Sequence, residues 1–234
     1  MPIVLAMLES TRYPTRSKAM AQNNSDRSIR PDIIDAAARV FGARGYERAT
    51  LDEIAARIGM QKGSLYYHIK SKEELLLAIH MKLWGILSSR LAEAMKAAGT
   101  DPAAELQQVI RAIVEVVSSN RDEVRVVLRD RESLSERNSK YIAKNRAAVL
   151  KILENIVKRL CREQVAANAG SAQIISYGLM GMTYFVNEWF KPGQYSADTI
   201  ARTFSTMVVE GLGRSTLPRS TSAEQKKSPR KRAA

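Results

Sequence analysis

Between residues 29 and 213 apolar side chains recur at the i, i+3, i+4, i+7 spacing of a helix face, and strand-like alternation is scarce. Ile34, Ala37, Ala38 and Phe41 form the first such stripe, with Pro31 at its start and Gly42 to Gly45 at its end. Thr50-Leu51-Asp52-Glu53 has the form of a capping box. Leu51, Ile54, Ala55 and Ile58 then repeat the apolar spacing until Gly59 stops the helix. A third helix of barely two turns, Gln61 to His68, precedes a second capping-box pattern, Ser71-Lys72-Glu73-Glu74. That box opens a long helix striped by Leu76, Ile79, Leu83, Ile86 and Leu87.

Farther on, Asp101-Pro102 reads as a cap followed by an N1 proline. Helical runs follow over Glu123 to Arg131 and Ser139 to Ala167. Two more, Ala172 to Phe190 and Ala197 to Gly211, flank the stop signal Lys191-Pro192-Gly193-Gln194. The pattern predicts an all-α fold of about nine helices. Residues 29–72 would form a three-helix helix-turn-helix unit and residues 73–213 a helical body. Residues 21–28 and 214–234 are polar and aperiodic, and the apolar opening Pro2 to Leu8 lacks the basic stretch and cleavage site of a signal, so residues 1–28 and 214–234 are expected to be disordered tails.

The short third helix carries the chemistry. At about 100° per residue, Lys62, Gly63, Tyr66 and Tyr67 share one arc while Leu65 points away from it. Leu65 can anchor the helix to the first two, leaving a lysine, bare backbone and two phenols for a partner. A recognition helix in a DNA major groove needs that division of labour. Lys62 suits guanine O6 or N7, Gly63 permits close approach, and the tyrosine rings suit thymine methyls. Thr50, Ser64, His68 and Lys72 flank the arc as phosphate donors, and the first turns at Thr50 and Lys72 add backbone N–H groups. Core packing of the tyrosines, and of His68 above all, remains the competing reading.

Charge sharpens this picture. The formal net charge is +13, and it is concentrated at the ends: residues 1–72 carry 12 basic and 7 acidic side chains, and residues 214–234 carry 7 and 1. Such a distribution favours a polyanion. A single cysteine, Cys161, excludes an intrachain disulfide and fits a reducing, cytoplasmic setting. The longest mostly apolar run, Gly178 to Val186, has nine residues where a span needs about 20, so no membrane helix is expected. Only two histidines, His68 and His80, occur, with no clustered metal ligands and no phosphate-cradling glycine loop. No enzyme activity, metal or cofactor is expected.

The continuous stretch from Ala49 to Leu75, with Lys62-Gly63-Ser64-Leu65-Tyr66-Tyr67-His68 at its centre, resembles the DNA-binding domain of TetR-family repressors. With the first helix the match runs from about Arg30 to Leu77. The resemblance implies base-facing roles for Lys62, Gly63, Tyr66 and Tyr67, and phosphate contacts from Thr50, Gln61, Ser64, His68 and Lys72. Ile69 stands where the family usually has Phe, at a packing position.

The resemblance also implies a homodimer built on the last two helices, a double-stranded palindromic operator, and a small-molecule effector held among the middle helices. The run Phe185 to Gly193 is similar to the subgroup that senses acyl-coenzyme A thioesters of lipid or sterol catabolism, which implies such an effector. Arg125, Arg129, Tyr184 and Trp189 are the candidate effector contacts. Arg121, Arg131, Arg137 and Arg146 are also available. Interleaved Asp122, Glu123, Asp130, Glu132 and Glu136 favour a solvated, ion-paired face for these arginines, and packing is the favoured role of the aromatics. The rival function is an architectural DNA-coating protein that acts through its basic tails.

Overall fold

The computed structural model describes residues 29–163 and 169–213. Both predicted tails and the end of the Ser139 to Ala167 run lie outside these residues. The described residues form nine α-helices: α1 (Pro31–Arg44), α2 (Leu51–Arg57), α3 (Lys62–His68), α4 (Lys72–Ala97), α5 (Pro102–Ser119), α6 (Arg121–Arg129), α7 (Glu136–Glu163), α8 (Ala169–Trp189) and α9 (Ala197–Gly213). A 3₁₀ turn, Arg131–Ser133, joins α6 to α7, and no strand occurs among these residues.

Local chemistry accounts for the short helices. The Thr50 hydroxyl accepts from the Glu53 N–H at 3.2 Å, and the Glu53 carboxylate accepts from the Thr50 N–H at 3.0 Å, so both halves of the first capping box form. The second box differs from expectation. Ser71 Oγ accepts from the Glu74 N–H at 3.1 Å, but the Glu74 carboxylate reaches one residue further back, to the Lys70 N–H at 2.7 Å. Gly59, at φ 66°, supplies the left-handed turn between α2 and α3 that a side chain would strain. Asp101 caps α5 by accepting from Ala103 and Ala104.

Two hydrophobic clusters organise the packing. The N-terminal one gathers Ile33, Ala37, Phe41, Ile54 and Leu65. It also takes in Leu75, Leu76 and Ile79 of α4, Val126 of α6 and Leu134. Its first-helix face is thus centred on Ile33, while Ile34 stays half-buried. The larger cluster fills the body between α4, α5, α7, α8 and α9. Here α9 packs chiefly on α5, and α8 packs on α7 and α5.

By length and composition α4 could cross a membrane, which the run-length reading of the sequence did not anticipate. In this fold 56% of its apolar window is buried among the other helices, as in the core helix of a globular domain.

Candidate nucleic-acid interface and effector cavity

Around α3, only Leu65 is buried, at 0% exposure, against helices α1 and α2. Gln61, Lys62, Gly63, Ser64, Tyr66 and Tyr67 are all exposed. Tyr66 and Tyr67 expose 49% and 64% of their surface, so a core role does not hold for them. A Cβ added at Gly63 would meet nothing within 4 Å, which leaves its backbone open to a close partner. His68 is half-buried, with its ring edge-on to Tyr67 at 5.4 Å between centroids. Ile69 is 2% exposed and packs in the N-terminal core.

Three of the proposed contacts are engaged within the protein. Lys62 Nζ lies 2.9 Å from the Asp52 carboxylate, and that hydrogen bond raises its pKa. Both partners are solvent-facing, so the pair is weak and can exchange for a base or phosphate.

Lys72 departs further from expectation. Its ammonium donates to the carbonyls of Tyr46, Glu47 and Ala49 at 2.8, 3.1 and 3.2 Å, and it sits 4.4 Å over the Tyr46 ring. The side chain therefore fastens the turn before α2 to the start of α4, and what remains for an anion is the backbone of the first turn. At Thr50 the N–H is likewise consumed by Glu53, leaving the hydroxyl proton.

In the body, a cavity of about 270 Å³ opens between α4, α6, α7 and α8. Its buried wall includes His80, Leu83, Trp84 and Leu87, with Val127 and Leu134 beside them. Arg131, Glu132 and Arg146 line it as exposed residues. Burial holds the His80 imidazole down to about 4, against the opposing charge of Asp130, so the ring is neutral near pH 7. Burial also raises the Tyr184 phenol, with Arg146 opposing.

Of the four expected effector contacts, the structure brings only Tyr184 to this cavity. Arg125 faces elsewhere and pairs with Asp122 at 3.2 Å, one turn along the same helix. Arg129 turns onto the C-terminal end of α1, where it donates to the carbonyls of Phe41 and Gly42 while holding Asp130 at 3.0 and 3.1 Å. The last carbonyls of a helix lack intrahelical donors, and a guanidinium satisfies them well. Trp189 packs on the body core and lies edge-on to Tyr195. His80 and Trp84 were missed in the sequence. Their signal was available: two polar-capable side chains, i and i+4, on the buried face of an otherwise apolar helix.

Comparison with known proteins agrees with this architecture. Residues 33–79 match the family described as bacterial regulatory proteins, tetR family, and residues 99–212 match the tetracyclin repressor-like C-terminal domain. The HTH-type transcriptional repressor KstR2 of Rhodococcus jostii is 27% identical over 193 residues, covering 78% of this chain and 90% of that repressor. Over 47 residues the A-factor receptor protein of Streptomyces griseus reaches 53% identity, although this spans 20% of the present chain and 17% of the receptor.

Among solved structures, the TetR-family regulator PfmR of Thermus thermophilus aligns at TM-score 0.68 and 26% identity, covering 78% of this chain and 99% of PfmR. AibR, solved with isovaleryl coenzyme A and operator DNA, aligns at 0.66 and 26% over 75% of this chain and 95% of its own. The exposed arc of α3, the cavity in the helical body and these matches lead to one conclusion: the chain belongs to the TetR family of transcriptional regulators.

Proposed function

We propose that the protein is a cytoplasmic, dimeric repressor that grips a palindromic operator with a pair of α3 helices and is released by a small molecule, an acyl-coenzyme A thioester, in the body cavity. Residues 29–72 serve as the DNA-binding unit and residues 73–213 as the effector and dimer unit. Base contacts fall to Lys62, Gly63, Tyr66 and Tyr67, with Thr50, Gln61, Ser64 and His68 on the backbone phosphates.

The observation that carries the release half is where the cavity wall is fastened. The segment from Val127 to Ser139 borders the cavity and is also tied to the DNA-binding helices. Arg129 holds the end of α1. The Glu73 carboxylate, at the start of α4, accepts from the Ser135 N–H at 2.8 Å and the Asn138 amide at 2.7 Å, which keeps it below the usual carboxylate range. Lys82 bridges Asp35 of α1 and Glu123 of α6 at 2.5 and 2.7 Å. A ligand that displaces this wall displaces the recognition helices, and two helices spaced by about one DNA turn, 34 to 36 Å, tolerate little of that.

The thioester reading draws support from Arg131 and Arg146 at the open side, suited to phosphates, and from the apolar wall within. At about 270 Å³ the cavity accepts a short acyl portion and leaves the nucleotide outside. Coenzyme A esters from isovaleryl upward, at about a hundred times their Kd, should stabilise the protein by about 2.7 kcal/mol in thermal denaturation.

Operator affinity measured by fluorescence anisotropy tests the DNA half. Lys62→Ala or Tyr66→Ala should each cost about 1 to 3 kcal/mol of specific binding with dimerisation and folding unchanged. Removing residues 215–234 should leave a specific complex that is weaker and less salt-sensitive. If that truncation abolished binding, or if wild type bound every fragment alike with fully salt-labile affinity, the architectural role would be the right one.

Arg129→Ala should behave differently from the interface variants. Only one of the three ties is cut, far from α3, so operator affinity should stay within about threefold of wild type. Release by effector, typically about 5- to 150-fold, should shrink to below about threefold. Unchanged release in this variant would mean that the signal runs through the Glu73 and Lys82 ties instead.

A further inference from the structure

Asp52 puts a negative charge on a surface assigned to a polyanion. Residues 50 to 72 contain only two acids, Asp52 and Glu53. Glu53 closes the capping box of α2, whereas the Asp52 side chain takes no part in it. Asp52 is exposed, and its partner among the described residues is Lys62 of α3, with Nζ 2.9 Å from Oδ2. A carboxylate held there weakens every phosphate contact nearby, and it meets whatever the lysine touches. The Asp52 hydrogen bond is the main cause of the raised Lys62 pKa and the Tyr66 phenol adds to it, so carboxylate, ammonium and phenol share one surface.

In the major groove a carboxylate can accept only from the amino groups of cytosine and adenine. Within one G·C pair, guanine O6 and the cytosine N4 amino group are joined by a hydrogen bond and stand about 2.9 Å apart. The Lys62 ammonium and the Asp52 carboxylate are 2.9 Å apart as well, so each can face its complement at once. We propose that Asp52 is a base-reading residue: the ion pair stays closed and lies across a single G·C pair, Lys62 donating to guanine O6 and N7 while Asp52 accepts from cytosine N4.

The valences allow this. An ammonium has three protons and spends one on the ion pair, and a carboxylate has about four acceptor positions. Lys62 can leave Asp52 for a phosphate, but it need not leave for a guanine. The pair also has a direction. An A·T pair in the same orientation still offers adenine N7 to the lysine but sets thymine O4 against Asp52, acceptor against acceptor. C·G reverses both central groups, and T·A keeps their order but puts a methyl where guanine has N7. Asp52 thus rejects the A·T pair that a lysine alone would tolerate. The inference rests on the DNA-binding reading of α3 and adds a residue of α2 to it.

Random duplexes should be selected on full-length wild type, Lys62→Ala and Asp52→Ala. The duplex that wild type enriches is then titrated by fluorescence anisotropy with each of the four base pairs at the position that Lys62→Ala relaxes. Wild type should prefer G·C to A·T there by tenfold or more. Asp52→Ala should lower that ratio to threefold or less and leave preferences elsewhere in the half-site unchanged. The ratio is the readout, because losing a negative charge strengthens binding to any duplex. Circular dichroism melting checks the fold, and a change on the DNA side needs no variant. N4-methylcytosine at that pair replaces the groove-facing amino hydrogen with a methyl group and should cost wild type tenfold or more.

A G·C preference that survives Asp52→Ala overturns the proposal. So does another base pair at that position, relaxation at a different position, or N4-methylcytosine tolerated by wild type within threefold. If wild type enriches no sequence at all, the operator reading falls and this one with it. An enriched sequence that Asp52→Ala reads unchanged overturns this one alone.

Discussion

Phe185→Glu is expected to convert a dimer into a folded monomer and to weaken operator binding by about a hundredfold or more, the usual gain from engaging two linked half-sites. The face concerned is laid out along α8. Ile174, Tyr177 and Phe185 expose 72%, 56% and 62% of their surface, and Gly178 and Gly181 lie between them with nothing within 4 Å of a Cβ added at either. On α9, Met207 is 58% exposed. Large apolar groups at i, i+3 and i+11 on one helix, separated by glycines, make a smooth strip that a second copy can approach closely.

A two-fold interface presents the same residue from both protomers, so one substitution buries two carboxylates without cations. Within the monomer Phe185 points outward, so folding should survive. Light scattering on the eluting species and operator titration report the two effects separately. A variant that remained dimeric with wild-type affinity would move the interface off α8.

What the sequence makes legible divides along a physical line. The helix-turn-helix is specified by neighbours: Thr50 and Glu53 cap each other, Gly59 turns the chain, and Leu65 is the single apolar anchor of α3. All of this lies within one short window, so residue spacing suffices to read it. Even there, single-residue shifts escaped, because Ile33 and not Ile34 centres the α1 face, and Glu74 finds the Lys70 N–H instead of that of Ser71. Lys72 shows the first tertiary effect, its ammonium drawn to three carbonyls about 25 residues earlier in the chain.

The cavity is different in kind. Its wall comes from four helices, and which arginine reaches it depends on how α6 rolls against α1. Arg129 turns to the end of α1, Arg125 stays with Asp122, and Arg131, just past the helix, faces the opening. No spacing rule distinguishes these three, since all are arginines in one charged stretch. His80 could have been suspected from its place on a buried stripe, but a buried histidine is also an ordinary core residue, and only its position in the cavity lining separates the cases.

The same residue should give the protein an acid sensitivity of unusual placement. Folded His80 titrates near 4 because burial disfavours its cation, while in the unfolded chain it titrates near 6.5. Between these values the unfolded state binds the extra proton, so stability is fully present above about 6.5 and is lost as pH falls toward 4. At about 1.4 kcal/mol per pH unit the loss sums to about 3 kcal/mol. Other shifted groups leave this window clear. Glu53, Glu73 and Glu154 are lowered carboxylates, whose contribution disappears only below their unfolded value of about 4.5. Lys82 and the buried tyrosines Tyr46 and Tyr184 titrate at alkaline pH.

Denaturant unfolding at fixed protein concentration, repeated from pH 7.5 to 4.5, should therefore show a falling stability that His80→Phe largely flattens above pH 5. If wild type stayed level across that range, the imidazole would have to be solvated or paired in its charged form.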